Sequence, residues 1–193
     1  LRRTSTDPMT GTFSKSCDHV DVAVHLITHE RPVEFLLAFQ SLVMQSHKPK
    51  AIVIVDNSNA CRSTQHPAFL SLAGWAAEWG IAIDVLHRPP LGMLKARIEG
   101  EEAALRFGTS LLMAADDDMV FPYNFLKAAS DALVSRDVTG GFALSMRRQT
   151  PVAGGLRGYV ECEVGEPQGL FWGGTLVYRK GFAGLYPEVL KLT

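Results

Sequence analysis

Three aspartates, Asp116, Asp117 and Asp118, stand side by side directly after the apolar run SLLMAA at 110–115. Adjacent carboxylates repel one another, and a plain turn has no need of three. A divalent cation would relieve that repulsion. Hard ions such as Mg2+ and Mn2+ take oxygen ligands and commonly use one or two carboxylates together with substrate phosphates. The same triplet also fits a solvated acidic turn that caps a helix beginning at Pro122. The buried-strand character of 110–115 favours the metal-binding alternative, because a strand's carboxyl end is where ligands gather in parallel α/β sheets.

Other polar residues share that kind of position. Asp56 and Asn57 follow the apolar run AIVIV, where Asx residues either build the corner or face a ligand. Arg88 and Arg97 flank a strand-to-helix connection, and a guanidinium there could hold a phosphate in bidentate fashion. Arg97 also stands among Lys95, Glu99, Glu101 and Glu102, so an ordinary i,i+4 surface pair is its alternative. Gly173 and Gly174 follow Phe171 and Trp172, a pattern of close backbone approach in which Trp172 could stack on a sugar or simply fill a core. His25 alternates into an apolar strand and reads as a hydrogen-bonded core residue, whereas His47, His66 and His87 read as surface or loop positions. No H-E-x-x-H spacing or nameable Ser/His/Asp arrangement is present.

The elements that must position these residues are legible as an alternation. Residues 20–28 (VDVAVHLIT), 51–55, 81–86 and 110–115 read as buried strands. Between and after them, 33–45, 67–79, 94–107 and 122–135 read as helices, with Pro32 suited to a first turn and Gly80 and Gly108 to C-terminal stops. Four β-then-α units predict an α/β, Rossmann-like sheet, mostly parallel and flanked by helices on both faces. Beyond Val138 the pattern changes. Residues 142–146, 159–164 and 169–178 read as extended, 150–158 as a Pro/Gly-rich loop and 181–190 as a short helix, giving a small additional β segment in the C-terminal third.

Composition narrows the function further. The 193 residues are 47% hydrophobic and carry 19 basic against 20 acidic side chains, a balance that excludes binding nucleic acid through bulk charge and excludes disorder for most of the chain. There is no G-x-G-x-x-G and no G-x-x-x-x-G-K-[ST], which argues against a dinucleotide oxidoreductase and a P-loop enzyme. Cys17, Cys61 and Cys162 are too scattered for a disulfide framework or a metal knuckle and read as reduced thiols. No apolar run reaches the roughly 18–20 residues of a membrane span. The expectation is a cytoplasmic protein without a transmembrane segment, with peripheral membrane contact left open, and with residues 1–18 as a flexible tail.

Taken together in their order, these pieces resemble the nucleotide-sugar-dependent glycosyltransferases of family 2, with the GT-A fold. The likeness runs over about 20–187 and is carried by ITHERPVEFLLAFQSLVMQSHKPKAIVIVDNSN at 27–59, by Ala96-Arg97-Ile98-Glu99-Gly100, by the aspartate triplet, and by FWGGTLVYR at 171–179. Ile98 stands where the family carries Asn. The resemblance implies a nucleotide-binding part at 19–136 and an acceptor-side part at 137–193. It implies that Thr28, Glu30, Arg31, Asp56, Asn57, Arg97, Asp116, Asp117, Gly173 and Gly174 bind the nucleotide sugar. It further implies that Asp116 and Asp118 hold Mn2+ or Mg2+, and that Trp172 lies on the acceptor side.

The donor implied is a UDP-sugar first, with dTDP- and GDP-sugars as alternatives. The acceptor implied is a hydroxyl on a glycan, a lipid-linked sugar or a small molecule, attacked with inversion. The family's general base lies downstream of the Gly-Gly stretch, where this chain offers only Glu188, so the base is expected beyond Thr193. Glu161, Glu163 and Glu166 receive no assignment. A sugar-phosphate nucleotidyltransferase would need a Gly-rich, Arg-containing loop in place of 28–32. A nucleotide-sugar-binding module without turnover is the remaining alternative.

Overall fold

Strand β1 (His19–Thr28) shows why the chain folds in layers: Val20, Val22, Val24 and Leu26 point to one side of the sheet, Ala23 and His25 to the other, and all are buried. A strand buried on both faces needs helices on both. The computed structural model describes residues 18–135, 142–143 and 176–183. After β1 come α1 (Pro32–Val43), β2 (Lys48–Asp56), α2 (Pro67–Glu78), β3 (Ala82–His87), α3 (Met93–Leu105), β4 (Leu111–Asp116), α4 (Phe125–Ser135), β5 (Phe142–Ala143) and β6 (Leu176–Arg179), with 3-10 turns at Ser63–Gln65 and Lys180–Phe182.

The sheet order is β3-β2-β1-β4-β6-β5. β1 pairs in parallel with both β2 and β4, and β2 with β3, while β6 runs antiparallel to β4 and to β5. The additional β segment expected in the C-terminal third thus extends the main sheet through β6 and β5. Pro49 lies at the start of β2, where a missing N–H is tolerated, and the β1–β2 register shifts beside it, between Val20 and Ala23.

One face is thick. Phe35, Phe39 and Leu42 of α1, Phe69 of α2, and Leu126 and Leu133 of α4 cover the valines and leucine of β1. Phe35, Phe39 and Phe69 form a ring cluster with centroids 5.0–5.9 Å apart. The opposite face is thin: Ala23, Ala51, Ala114 and Leu112 meet Ala103 and Ala104 of α3. Small residues on both sides bring α3 close to the sheet. A Cβ on Gly100 would lie 3.2 Å from a methyl of Val55 and 3.3 Å from His25.

The helix expected from Pro122 begins at Phe125 instead. Pro122, Tyr123 and Asn124 form a turn, with Phe125 N donating to the Pro122 carbonyl at 3.0 Å. The cap comes from another element. The buried Gln45 side chain accepts from Leu126 N at 2.9 Å and donates to the Pro122 carbonyl at 2.7 Å. The aspartate triplet therefore does not cap α4.

Residues 150–158 and 159–164 lie outside the described residues, as do Cys17 and Cys162 and most of the expected 181–190 helix; Cys61 is exposed with a free thiol. The boundary near 136 between the two expected parts also falls there. Among the described residues no helix is long and apolar enough to cross a membrane.

Candidate functional site

Strand order, not strand direction, reverses at β1: β2 and β3 lie to one side, β4 to the other, all parallel to it. Such a switch point leaves a crevice beyond the strands' carboxyl ends. An open cleft of about 510 Å³ occupies it, lined by the end of β1 (Ile27, Thr28), the turn after it (His29, Arg31), Asn57, the β3–α3 loop and first residue of α3 (Pro90, Gly92, Met93), Arg97, and the triplet Asp116, Asp117 and Asp118. That volume falls in the roughly 300–1,000 Å³ range of small-molecule sites.

The turns that form the rim are tied to one another. Glu30 holds a left-handed backbone (φ 53°), unusual for a side chain with a Cβ. Its N–H donates to Ser58 Oγ at 2.7 Å, and its Oε1 accepts from the N–H groups of Asn59 and Ala60 at 3.2 and 3.1 Å. Those two bonds hold the Glu30 carboxyl below its ordinary range. Asp56 is fully buried. Its Oδ1 accepts from Ser58 N at 3.2 Å, and its Oδ2 from Thr64 N at 3.0 Å and Thr64 Oγ1 at 2.6 Å. Asp56, the last residue of β2, builds the corner, and Asn57 just after it reaches the cleft. Asn57 Oδ1 accepts from Leu91 N at 2.8 Å, anchoring the β3–α3 loop. The loop then passes Gly92, whose φ of 79° favours glycine, into the first turn of α3.

The three aspartates occupy three environments. Asp116, the last residue of β4, is ion-paired through Oδ1 with Nη2 of Arg97, whose Nη1 donates to the Ala115 carbonyl at 2.9 Å. Arg97 is buried, so it is neither the surface i,i+4 partner of a neighbour nor freely mobile; Arg88 instead pairs with Glu99 at 2.6 Å. The Asp117 side chain is 10% exposed and that of Asp118 56%. Burial raises the Asp117 carboxyl above its ordinary value, opposed by a hydrogen bond from Thr28, the Arg31 charge and the His29 N–H, with the Asp118 charge adding to the rise. Arg31 Nη1 lies 3.6 Å from Asp117 Oδ1 and 3.4 Å from Asp118 Oδ2.

Beneath this floor, His25 is buried with Nε2 3.2 Å from Tyr178 Oη, and Tyr178 donates in turn to Glu101. Burial first, and then the Arg97 charge, push the His25 imidazole down to about 3, so it is neutral. The expectation of a core histidine holds. The links join β1, α3 and β6, so the antiparallel strand β6 is tied to the helix that carries Arg97.

Of the residues expected to act together, Thr28, Arg31, Asn57, Arg97, Asp116, Asp117 and Asp118 meet at the cleft, whereas Glu30 and Asp56 brace its rim from outside. Gly173, Gly174 and Trp172 lie outside the described residues. Around Asp116 and Asp118, the expected metal ligands, Arg97 pairs with Asp116 Oδ1, and one Arg31 nitrogen lies between Asp117 and Asp118. Among the described residues no three His, Cys, Asp or Glu side chains converge to hold an ion by themselves. The donor chemistry nonetheless suits a hard cation bound by two carboxylates and completed by substrate phosphates and water. His29, Pro90, Gly92 and Met93 were not singled out by sequence reasoning. The strand-end rule could have found His29, and the Gly92 backbone leaves only a glycine in a Pro-rich loop as its signal.

No family model matches the chain, and no curated protein does. Solved structures match in fold. Residues 1–349 of S. aureus TarS align over 86% of this chain and 48% of that one, at 16% identity and a TM-score of 0.56. A longer TarS structure aligns over 83% and 28%, at 16% identity and 0.53. The glycosyltransferase GlyE of Streptococcus pneumoniae aligns over 89% and 38%, at 15% identity and 0.53. The chain spans less than half the length of each of these proteins. Its α/β sheet is thus of the kind on which the glycosyltransferase GlyE is built.

Proposed function

We propose that the cleft binds a nucleoside-diphosphate sugar, a UDP-sugar before a dTDP- or GDP-sugar, and that the protein transfers the sugar to an acceptor hydroxyl with inversion, as a family 2-like GT-A enzyme. The observation that carries this reading is the convergence of Asp117, Asp118 and Arg31 on an open cleft at the switch point of the sheet. A diphosphate needs positive charge, and three aspartates alone would repel it. Arg31, the N-terminus of α3 at Gly92 and Met93, and a bound cation together reverse that balance.

Asp118 and Asp117 would hold Mn2+ or Mg2+, with Asp116 fixed beside them by Arg97. When bound, the cation stabilises the negative charge that develops on the departing diphosphate. Asn57 keeps the β3–α3 loop over the cleft, and Arg97 holds the end of β4 in place. The acceptor oxygen bonds to the anomeric carbon as the bond from that carbon to the diphosphate oxygen breaks, its electron pair leaving with the diphosphate. The acceptor's proton goes to a base that we leave unassigned. Gly173 and Gly174 complete the proposed nucleotide-sugar site, and Trp172 the acceptor side.

Calorimetric titration with UDP, GDP and dTDP, with and without Mn2+, tests the reading. At least one nucleotide should bind about tenfold tighter or more with Mn2+, equivalent to about 1.4 kcal/mol, and Asp118→Ala should abolish that gain. Binding that ignores both Mn2+ and the substitution removes the metal from the account. No binding of any of the three removes the account itself. Slow hydrolysis of the matching nucleotide sugar would mark an enzyme, and tight binding without hydrolysis a binding module.

A further inference from the structure

Arg31 occupies the place where the proposed cation would have to sit. It directly precedes α1, and its carbonyl accepts from Phe35 N at 2.9 Å to start that helix. Its side chain makes no capping bond, is 55% exposed, and places Nη1 between Asp117 Oδ1 at 3.6 Å and Asp118 Oδ2 at 3.4 Å. Arg97 cannot substitute for it, being buried and committed to Asp116 and the Ala115 carbonyl. The carboxylate pair in the free protein therefore already has a counter-ion, one that belongs to the chain and stands on a mobile class of side chain.

Two like charges cannot share that position cheaply at a half-buried site. A cation arriving alone must displace the guanidinium and leave it without a partner. A diphosphate changes the balance, because it offers Arg31 a bidentate anionic partner and offers the cation further oxygen ligands. We infer that Arg31 is an internal counter-ion that guards Asp117 and Asp118, and that a nucleoside diphosphate draws it away so that nucleotide and divalent cation bind with positive coupling. This rests on the donor-site reading above and adds an order to it: the cation is held weakly until the diphosphate arrives. Coupling of this kind is reciprocal, so the cation strengthens nucleotide binding by the same factor.

The test follows free Mn2+ by its electron paramagnetic resonance signal as Mn2+ is added to the full chain, alone and with saturating UDP or GDP, corrected for Mn2+ bound by nucleotide in solution. Wild type, Arg31→Gln and Arg31→Lys are compared; the side chain is 55% exposed and makes no capping bond to α1. Arg31→Gln should bind Mn2+ alone about 5-fold tighter or more than wild type. Its further gain on adding nucleotide should be smaller than that of wild type, and Arg31→Lys, which keeps the charge, should follow wild type. If Arg31→Gln binds Mn2+ no tighter while wild type still binds nucleotide in a Mn2+-dependent way, the guarding role is overturned and the donor site stands. If neither protein binds Mn2+ or nucleotide under any of these conditions, both fall together.

Discussion

Single residues at this site divide into those that face the cleft and those that make the facing possible. Asp117, Asp118 and Arg31 are of the first kind. Asp56 and Glu30 are of the second, and Arg97, though it lines the cleft, serves the same end; each spends its charge on a backbone amide, a carbonyl or a neighbouring side chain. His25 shows what such burial costs. Its imidazole is held at about 3, against an ordinary value of 6.5, chiefly by desolvation and then by Arg97. The unfolded chain therefore takes up a proton that the folded chain refuses. The stabilising difference is fully present above about pH 6.5 and is lost as pH falls toward 3. Thermal midpoints measured at pH 7 and pH 5 should fall more for wild type than for His25→Gln. An equal fall in both would assign the acid sensitivity elsewhere, to carboxylates such as Asp21 that are held below their ordinary value by Ser110 and Lys50.

At the scale of elements, α3 decides how well the cleft is positioned. Its buried residues are Ala96, Arg97, Gly100, Glu101, Ala103 and Ala104, two of them charged, so its apolar pattern is weak and a surface helix is the natural reading. The burial of Arg97 was not legible for that reason: its partners, Asp116 and the Ala115 carbonyl, belong to a strand that only the fold brings near. Strands β1, β2 and β4 were legible because they are continuous apolar runs bounded by turn residues. The start of α4 was not, because Gln45, far away in sequence, supplies its cap. Gly100 is the residue that lets α3 approach. Gly100→Val would press on Val55 and His25 from distances already at 3.2–3.3 Å for a Cβ alone. Overpacking of this sort costs about 1–3 kcal/mol, and urea denaturation should show a lower midpoint for Gly100→Val than for wild type. An unchanged midpoint would mean that the helix has room the structure does not show.

For the whole molecule, the thick face of the sheet supplies stability through Phe35, Phe39, Phe69 and Leu126, while the thin face and the carboxyl ends of β1 and β4 carry the polar groups. The same division explains how far function could be read. The aspartate triplet announced itself by its chemistry, whereas the partition of Asp116 to Arg97 and of Asp117 and Asp118 to Arg31 depends on tertiary placement. The central claim is that one cleft, at the junction of β1 and β4, takes a nucleoside diphosphate together with a divalent cation. Paramagnetic broadening of amide signals tests it most directly, with substoichiometric Mn2+ added to the 15N-labelled protein in the presence of UDP or GDP. The account predicts that broadening centres on His29, Arg31, Asn57, Asp117 and Asp118 and disappears in Asp118→Ala. Broadening centred elsewhere, such as on the half-buried Asp84 or the exposed Asp131, would contradict it.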